Sequence, residues 1–230
     1  MNQPFSTIYT DSSDALAVRH RVLRNTYWLL ALSMVPTVLG AWIGVQMNFS
    51  FLSGSPMLGF IAFMAIAFGF FYVIEKTKNS AAGVAVLLGF TFFMGLMLSR
   101  MIAQILHFSN GASLIMTAFG GTGLVFATMA SIATTSKRDF SGLSSWLFAG
   151  VVVIMLAAIA NIFLQMPVLQ IVISAIAVAI FSAYILFDVQ RIINGGETNY
   201  ITATLAIYLD LYNVFVNLLA LLGIFGGERD

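Results

Sequence analysis

The stretch Ile201–Gly223, ITATLAIYLDLYNVFVNLLALLG, decides the fold. It is long enough to cross a bilayer as a helix, since roughly 20 mostly apolar residues suffice. Yet Asp210 stands near its middle, and Asn213 and Asn217 follow on the same helical face. Tyr208 adds a further polar group just before the aspartate. A carboxylate at that depth must face protein or water, because lipid cannot solvate it. The span is therefore expected at the centre of a helical bundle, with a polar stripe that needs partners.

Working outward, composition sets the class. The chain has 230 residues, 60% of them hydrophobic and 8% charged. Soluble domains carry about 25% charged residues. A soluble fold of this length cannot hide so much apolar surface, so the chain reads as an all-α integral membrane protein. The net charge of +1 and the absence of an aromatic-interleaved basic face argue against nucleic-acid binding. No cysteine is present, which excludes disulfides, thiolate chemistry and cysteine–zinc sites. The first 25 residues are polar and lack the apolar core of a secretory signal peptide.

Seven hydrophobic spans are expected in residues 26–225, between a polar tail at 1–25 and a short tail at 226–230. They cover about 26–47, 57–74, 81–106, 113–135, 143–165, 168–193 and 201–223. Pro36 is a candidate kink in the first. Gly195-Gly196 break the sixth. Gly120-Gly121-Thr122-Gly123 in the fourth reads as a helix-packing surface, since small residues let membrane helices approach closely. Arg19, Arg21, Arg24, Lys76, Lys78, Lys137, Arg138 and Arg191 fall on the side of the amino terminus, and Arg100 and Arg229 on the other. That bias predicts a cytoplasmic amino terminus and an external, periplasmic carboxyl terminus. A six-span arrangement with one re-entrant segment is the alternative.

The intramembrane acids come next. Asp188 lies about 8 Å from the inner end of span six, and Asp210 about 13 Å from the same face in span seven. Helix tilt can close that gap, so the two carboxylates can share a site reached from the cytoplasm. They would then titrate as one coupled pair and offer oxygen ligands to a cation such as calcium. Arg191, at i+3 from Asp188, is the competing partner. Arg100 is too distant to pair with Asp210 and is expected to snorkel to the outer interface. Asn161 and Gln165 mark a polar face on span five that suits interhelical hydrogen bonding.

No catalytic residue is expected. The two histidines, His20 and His107, lie in the tail and an outer loop, which leaves no serine–histidine pair within the membrane. Span seven has no lysine for a retinal Schiff base. An intramembrane aspartyl protease carries YD and GxGD, whereas these aspartates read FD and LD, and no GxGD occurs.

The runs YILFDVQRII at 184–193 and IYLDLYNVFVNLLALLG at 207–223 resemble the signature of the Bax inhibitor-1 family. RHRVLRNTYWLL at 19–30, ATTSKRDFSGL at 133–143, ANIFLQMP at 160–167 and GGETNYI at 195–201 look like its bacterial branch, the modulators of the FtsH membrane protease. The resemblance covers nearly the whole chain. It implies a multi-pass protein of the bacterial inner membrane, without cofactor, that binds and modulates FtsH. It also implies an alternative, since members with an aspartate in each of the last two spans are associated with pH-dependent calcium leak. Asp188 and Asp210 hold those positions, with Arg191, Tyr208, Asn213 and Asn217 as supporting polar residues. The latch arginine of leak members, near the inner end of span two, has no match here. Lys76 and Lys78 are nearby, but lysine cannot reproduce a bidentate arginine contact. The polar tail is the segment expected to reach the protease, spanning up to roughly 80–90 Å if extended.

Overall fold

A computed structural model describes residues 6–49 and 56–227. Residues 1–5, 50–55 and 228–230 lie outside it, and with them Arg229 and most of the expected external tail. Among the described residues every long element is a helix. These are α1 (Ser6–Gln46), α2 (Pro56–Thr77), α3 (Ala81–Leu106), α4 (Gly111–Thr135), α5 (Ser144–Leu164), α6 (Pro167–Ile193) and α7 (Tyr200–Gly226). A short 3-10 turn, Ser141–Leu143, leads into α5. All seven helices carry a window long and apolar enough to cross a membrane. Exposed Trp28, Trp42 and Trp146 suit membrane–water interfaces, where amphipathic rings are favoured.

Helix α7 is the axis of the bundle. It packs against α1, α2, α3, α4 and α6, whereas α5 rests on α6 alone among the long helices. Its buried residues, including Ile201, Ile207, Tyr208, Asp210 and Val214, point to several sides of the helix. Tyr208 donates to or accepts from Thr37 of α1 at 2.9 Å and donates to the Thr91 carbonyl of α3 at 3.4 Å. Tyr212 donates to the Met94 carbonyl of α3. In a setting where apolar burial does not distinguish protein from lipid, such bonds and close packing hold helices together.

The closest helix approach is between α1 and α3. A Cβ on Gly40 would strike the Phe92 carbonyl oxygen, and one on Gly95 the Thr37 carbonyl oxygen. One on Gly44 would lie 2.5 Å from Ser99 Cβ. The small residues of α4 behave differently from expectation. Gly121 faces Leu218 of α7, but Gly120 and Gly123 have no neighbour within 4 Å of a Cβ and lie on the outer surface. Packing by small residues is therefore concentrated on α1 and α3, because those two helices meet backbone to backbone.

Helix α1 runs unbroken through residue 25 and past Pro36. Neither proline nor glycine interrupts residues 6–35, and helical hydrogen bonds do not require apolar side chains. From Ser6 on the polar tail is thus helical rather than extended, which shortens residues 6–25 to about 30 Å.

Local chemistry sets the ends near the amino-terminal side. Gly195 closes α6 with φ +79°. The Gly196 N–H donates to the Arg191 carbonyl and the Gly195 N–H to the Ile192 carbonyl, the paired bonds of a Schellman stop. Arg19 of α1 reaches the Ile193 carbonyl there at 3.5 Å, a favourable place for a cation at a helix carboxyl end. Asn199 caps α7 by accepting from the Ile201 and Thr202 N–H groups. Its amide nitrogen donates to the Lys78 carbonyl and to Asn79 Oδ1, both at 2.9 Å, tying α7 to the α2–α3 turn. At the opposite end Asn110 donates to the Gly226 carbonyl. Gln165 adopts a left-handed conformation at the end of α5. Asn161 accepts from the Met166 N–H and donates to Gln170 of α6, giving the interhelical bond expected of that polar face.

Candidate functional site

Helices α6 and α7 are joined by a short turn and pack along their length. This brings Asp188, five residues before the end of α6, against Asp210 inside α7. The two carboxyl groups lie within hydrogen-bonding reach of one another. Two carboxylate anions have no hydrogen to share, so a bond between them would require a proton on one of them. Asp210 is only 6% exposed, and without that proton its Oδ2 is a buried acceptor lacking any donor. Tyr184, one turn before Asp188 on α6, lies within electrostatic reach of both acids.

Arg191 takes a different course from the competing reading. Its Nε donates to the Gly196 carbonyl at 3.3 Å, and it forms no ion pair with Asp188. It acts on Asp188 through space, as does Glu197 with opposite charge. Among the described residues the one salt bridge is Lys78–Glu75.

The other polar residues of α7 do not join the pair. Tyr208 faces α1 and α3, since its hydroxyl is engaged by Thr37 and Thr91. Asn213 and Asn217 return their amide hydrogens to their own helix, at the Leu209 and Asn213 carbonyls, both at 2.8 Å. Amides in a low-dielectric setting satisfy their donors locally when no neighbour offers an acceptor. Asn213 also lines a cavity of about 330 Å³ with Tyr212, Phe63, Phe71 and Phe90, between α2, α3 and α7. Sharing a helical face with Asp210 thus did not bring Asn213 and Asn217 into a cluster with it.

A clasp just below the pair had no counterpart in the sequence reading. Gln190, two residues past Asp188 and 5% exposed, accepts from the Phe140 N–H and donates to the Arg138 carbonyl, both at 2.7 Å. It fastens the α4–α5 loop onto the end of α6, with the Phe140 ring packed against the core. In the same loop Asp139 accepts from the Ser141 N–H and hydroxyl, which holds its carboxyl below the usual carboxylate range. An amide buried near a helix end is the only sequence signal for Gln190, and its partners are about 50 residues away. Gln190→Leu should cost about 2–3 kcal/mol, because it removes two bonds and strands two backbone groups. Faster tryptic cleavage after Lys137 or Arg138, with a lowered melting temperature, is the expected observation.

Chemically, the pair can hold and release a proton. No group of three or more histidine, aspartate or glutamate residues that could bind a metal exists among the described residues. A calcium-like ion takes 6–8 oxygens, so two carboxylates alone would supply only part of its shell.

Comparison with known proteins fits this architecture. The sequence profile of the family described as "Inhibitor of apoptosis-promoting Bax1" matches residues 19–227. A protein of Escherichia coli K12 named modulator of FtsH protease YccA is 39% identical over 209 residues, covering 91% of this chain and 92% of its own. An uncharacterised membrane protein of Vibrio cholerae is 37% identical over 224 residues, covering 97% and 98%. An uncharacterised protein of Pseudomonas aeruginosa is 39% identical over 207 residues, covering 90% of each. With seven apolar helices, an acid in each of the last two, and a profile match from Arg19 to Gly227, this chain belongs to the Bax inhibitor-1 family.

Proposed function

We propose that the chain is a non-enzymatic membrane protein that binds and modulates the FtsH protease. The observation that carries this is 39% identity to the Escherichia coli modulator across nine-tenths of both chains. The long α1 supports it, because residues 6–18 project beyond the contact that Arg19 makes with α6. Deleting residues 2–18 keeps Arg19 and the buried Val22. The truncated chain should therefore keep its melting temperature while losing much of its effect on proteolysis. A truncated chain that modulates FtsH as the parent does would remove the tail from the mechanism.

The charge bias supports a cytoplasmic amino terminus in the inner membrane, the side from which the tail would meet the protease. Reporter fusions should place residue 1 inside and residue 230 outside. Both ends on one side would contradict the seven-span topology.

A second reading is favoured by the aspartate pair itself. In it, the chain is also a pH-sensitive cation leak, with calcium as the permeant ion. At low pH the shared proton bonds α6 to α7. As pH rises and that proton leaves, two anions repel across a buried contact, and a cation can take the proton's place. Calcium flux through the purified chain in liposomes, with no partner present, tests this reading separately from the first.

A further inference from the structure

We propose that Arg100 and the cleft it lines bind a phospholipid of the leaflet opposite the amino terminus, with the phosphodiester on the guanidinium and an acyl chain along the apolar wall. This site is independent of the aspartate pair and of any action on FtsH.

Arg100 sits six residues before the end of α3, about 9 Å short of it along the axis. Its side chain is exposed, and it makes no hydrogen bond or ion pair with any described residue. Among the described residues no acid stands at this end of the bundle. Glu75, Asp139, Asp188 and Glu197 lie toward the other side of the bundle, and Asp210 faces Asp188. A cation inside the apolar span is costly unless something neutralises it.

The surroundings suit an amphiphile rather than a free anion. The cleft is about 250 Å³ and is walled by Phe49, Gly59, Phe60, Phe63, Leu96 and Met97, with Arg100 as the one charged residue among the described residues that line it. Phe60 and Phe63 belong to the first turns of α2, so the cleft opens between α2 and α3 at the far end. Phe63 stacks on Phe93 with centroids 5.9 Å apart. It also borders the 330 Å³ cavity between α2, α3 and α7, so the apolar surface continues inward below the cation. A phosphate with a hydrocarbon chain beneath it matches that order of groups. The planar guanidinium fits two phosphate oxygens at once, which an ammonium does not.

The test uses the purified full chain in detergent, stripped of loosely held lipid and titrated with phosphatidylglycerol under native mass spectrometry. One tightly retained lipid per chain is expected. Arg100→Gln should weaken retention on the order of tenfold or more, the worth of hydrogen bonds to a charged group. Arg100→Lys should recover part of the loss. Gly59→Phe, which fills the cleft and leaves the cation, should also displace the lipid. Neither diacylglycerol nor inorganic phosphate should compete, since each lacks one half of the ligand. Because Arg100 bonds to no described residue, Arg100→Gln should melt with the parent; if either variant misfolds, the other and the competition series decide. Equal retention by parent and Arg100→Gln would overturn the proposal. So would full competition by diacylglycerol, which would leave a purely apolar groove, or by inorganic phosphate, which would make the ligand a free anion.

Discussion

Gly95→Leu is expected to lower the melting temperature of the detergent-solubilised protein more than Gln190→Leu or Asp210→Asn does. A Cβ at residue 95 already meets the Thr37 carbonyl and lies 3.0 Å from the Ala41 nitrogen, so no side-chain rotation relieves the clash. The helices must separate along the contact that includes Gly40 and Gly44. Overpacking a tight core costs about 1–3 kcal/mol, and clashes with backbone fall at or beyond the upper end. Separation would also draw α1 and α3 away from the Tyr208 hydroxyl, which bridges Thr37 and Thr91. Gly123→Leu is the control, since its Cβ meets open space, and it should melt with the parent. Equal melting of parent and Gly95→Leu would show that α1 and α3 are not packed this way.

Asp210→Asn is expected to have the largest functional effect on the proposed leak. The amide is nearly the same size as the acid, so packing is kept. The sign follows from the proton. In the parent, the bond between Asp188 and Asp210 is present at low pH and lost as pH rises past the pair's deprotonation. In the variant, the amide donates to the Asp188 carboxylate at any pH. Flux in liposomes should therefore become low and nearly independent of pH, where the parent rises with pH. Asp188→Asn should behave alike, because either acid can carry the shared proton. A pH response that survives in both variants would end the latch account.

The sequence made some features readable and hid others for physical reasons. Spans announce themselves because the bilayer demands roughly 20 apolar residues each. Stops such as Gly195-Gly196 and caps such as Asn199 are local, so their chemistry is written in adjacent residues. The central position of α7 followed from one carboxylate that lipid cannot solvate. The direction of Tyr208 did not follow, because a hydroxyl takes whichever partner the bundle offers, and Thr37 and Thr91 come from two other helices. The Gln190 clasp depends on a loop far away in sequence. The glycines of α4 and those of α1 and α3 look alike on paper, and only backbone proximity separates a packing surface from a lipid-facing one. The polar start of α1 read as a tail because hydropathy registers side chains, while the helix is held by its backbone.

The central claim is that this chain acts on FtsH as a protein partner. It is tested most directly by measuring the rate at which FtsH degrades a membrane substrate in proteoliposomes, with and without the full-length chain. The account predicts a changed rate with the full chain, kept by Asp210→Asn and largely lost on deletion of residues 2–18. Identical rates with and without the chain would contradict it.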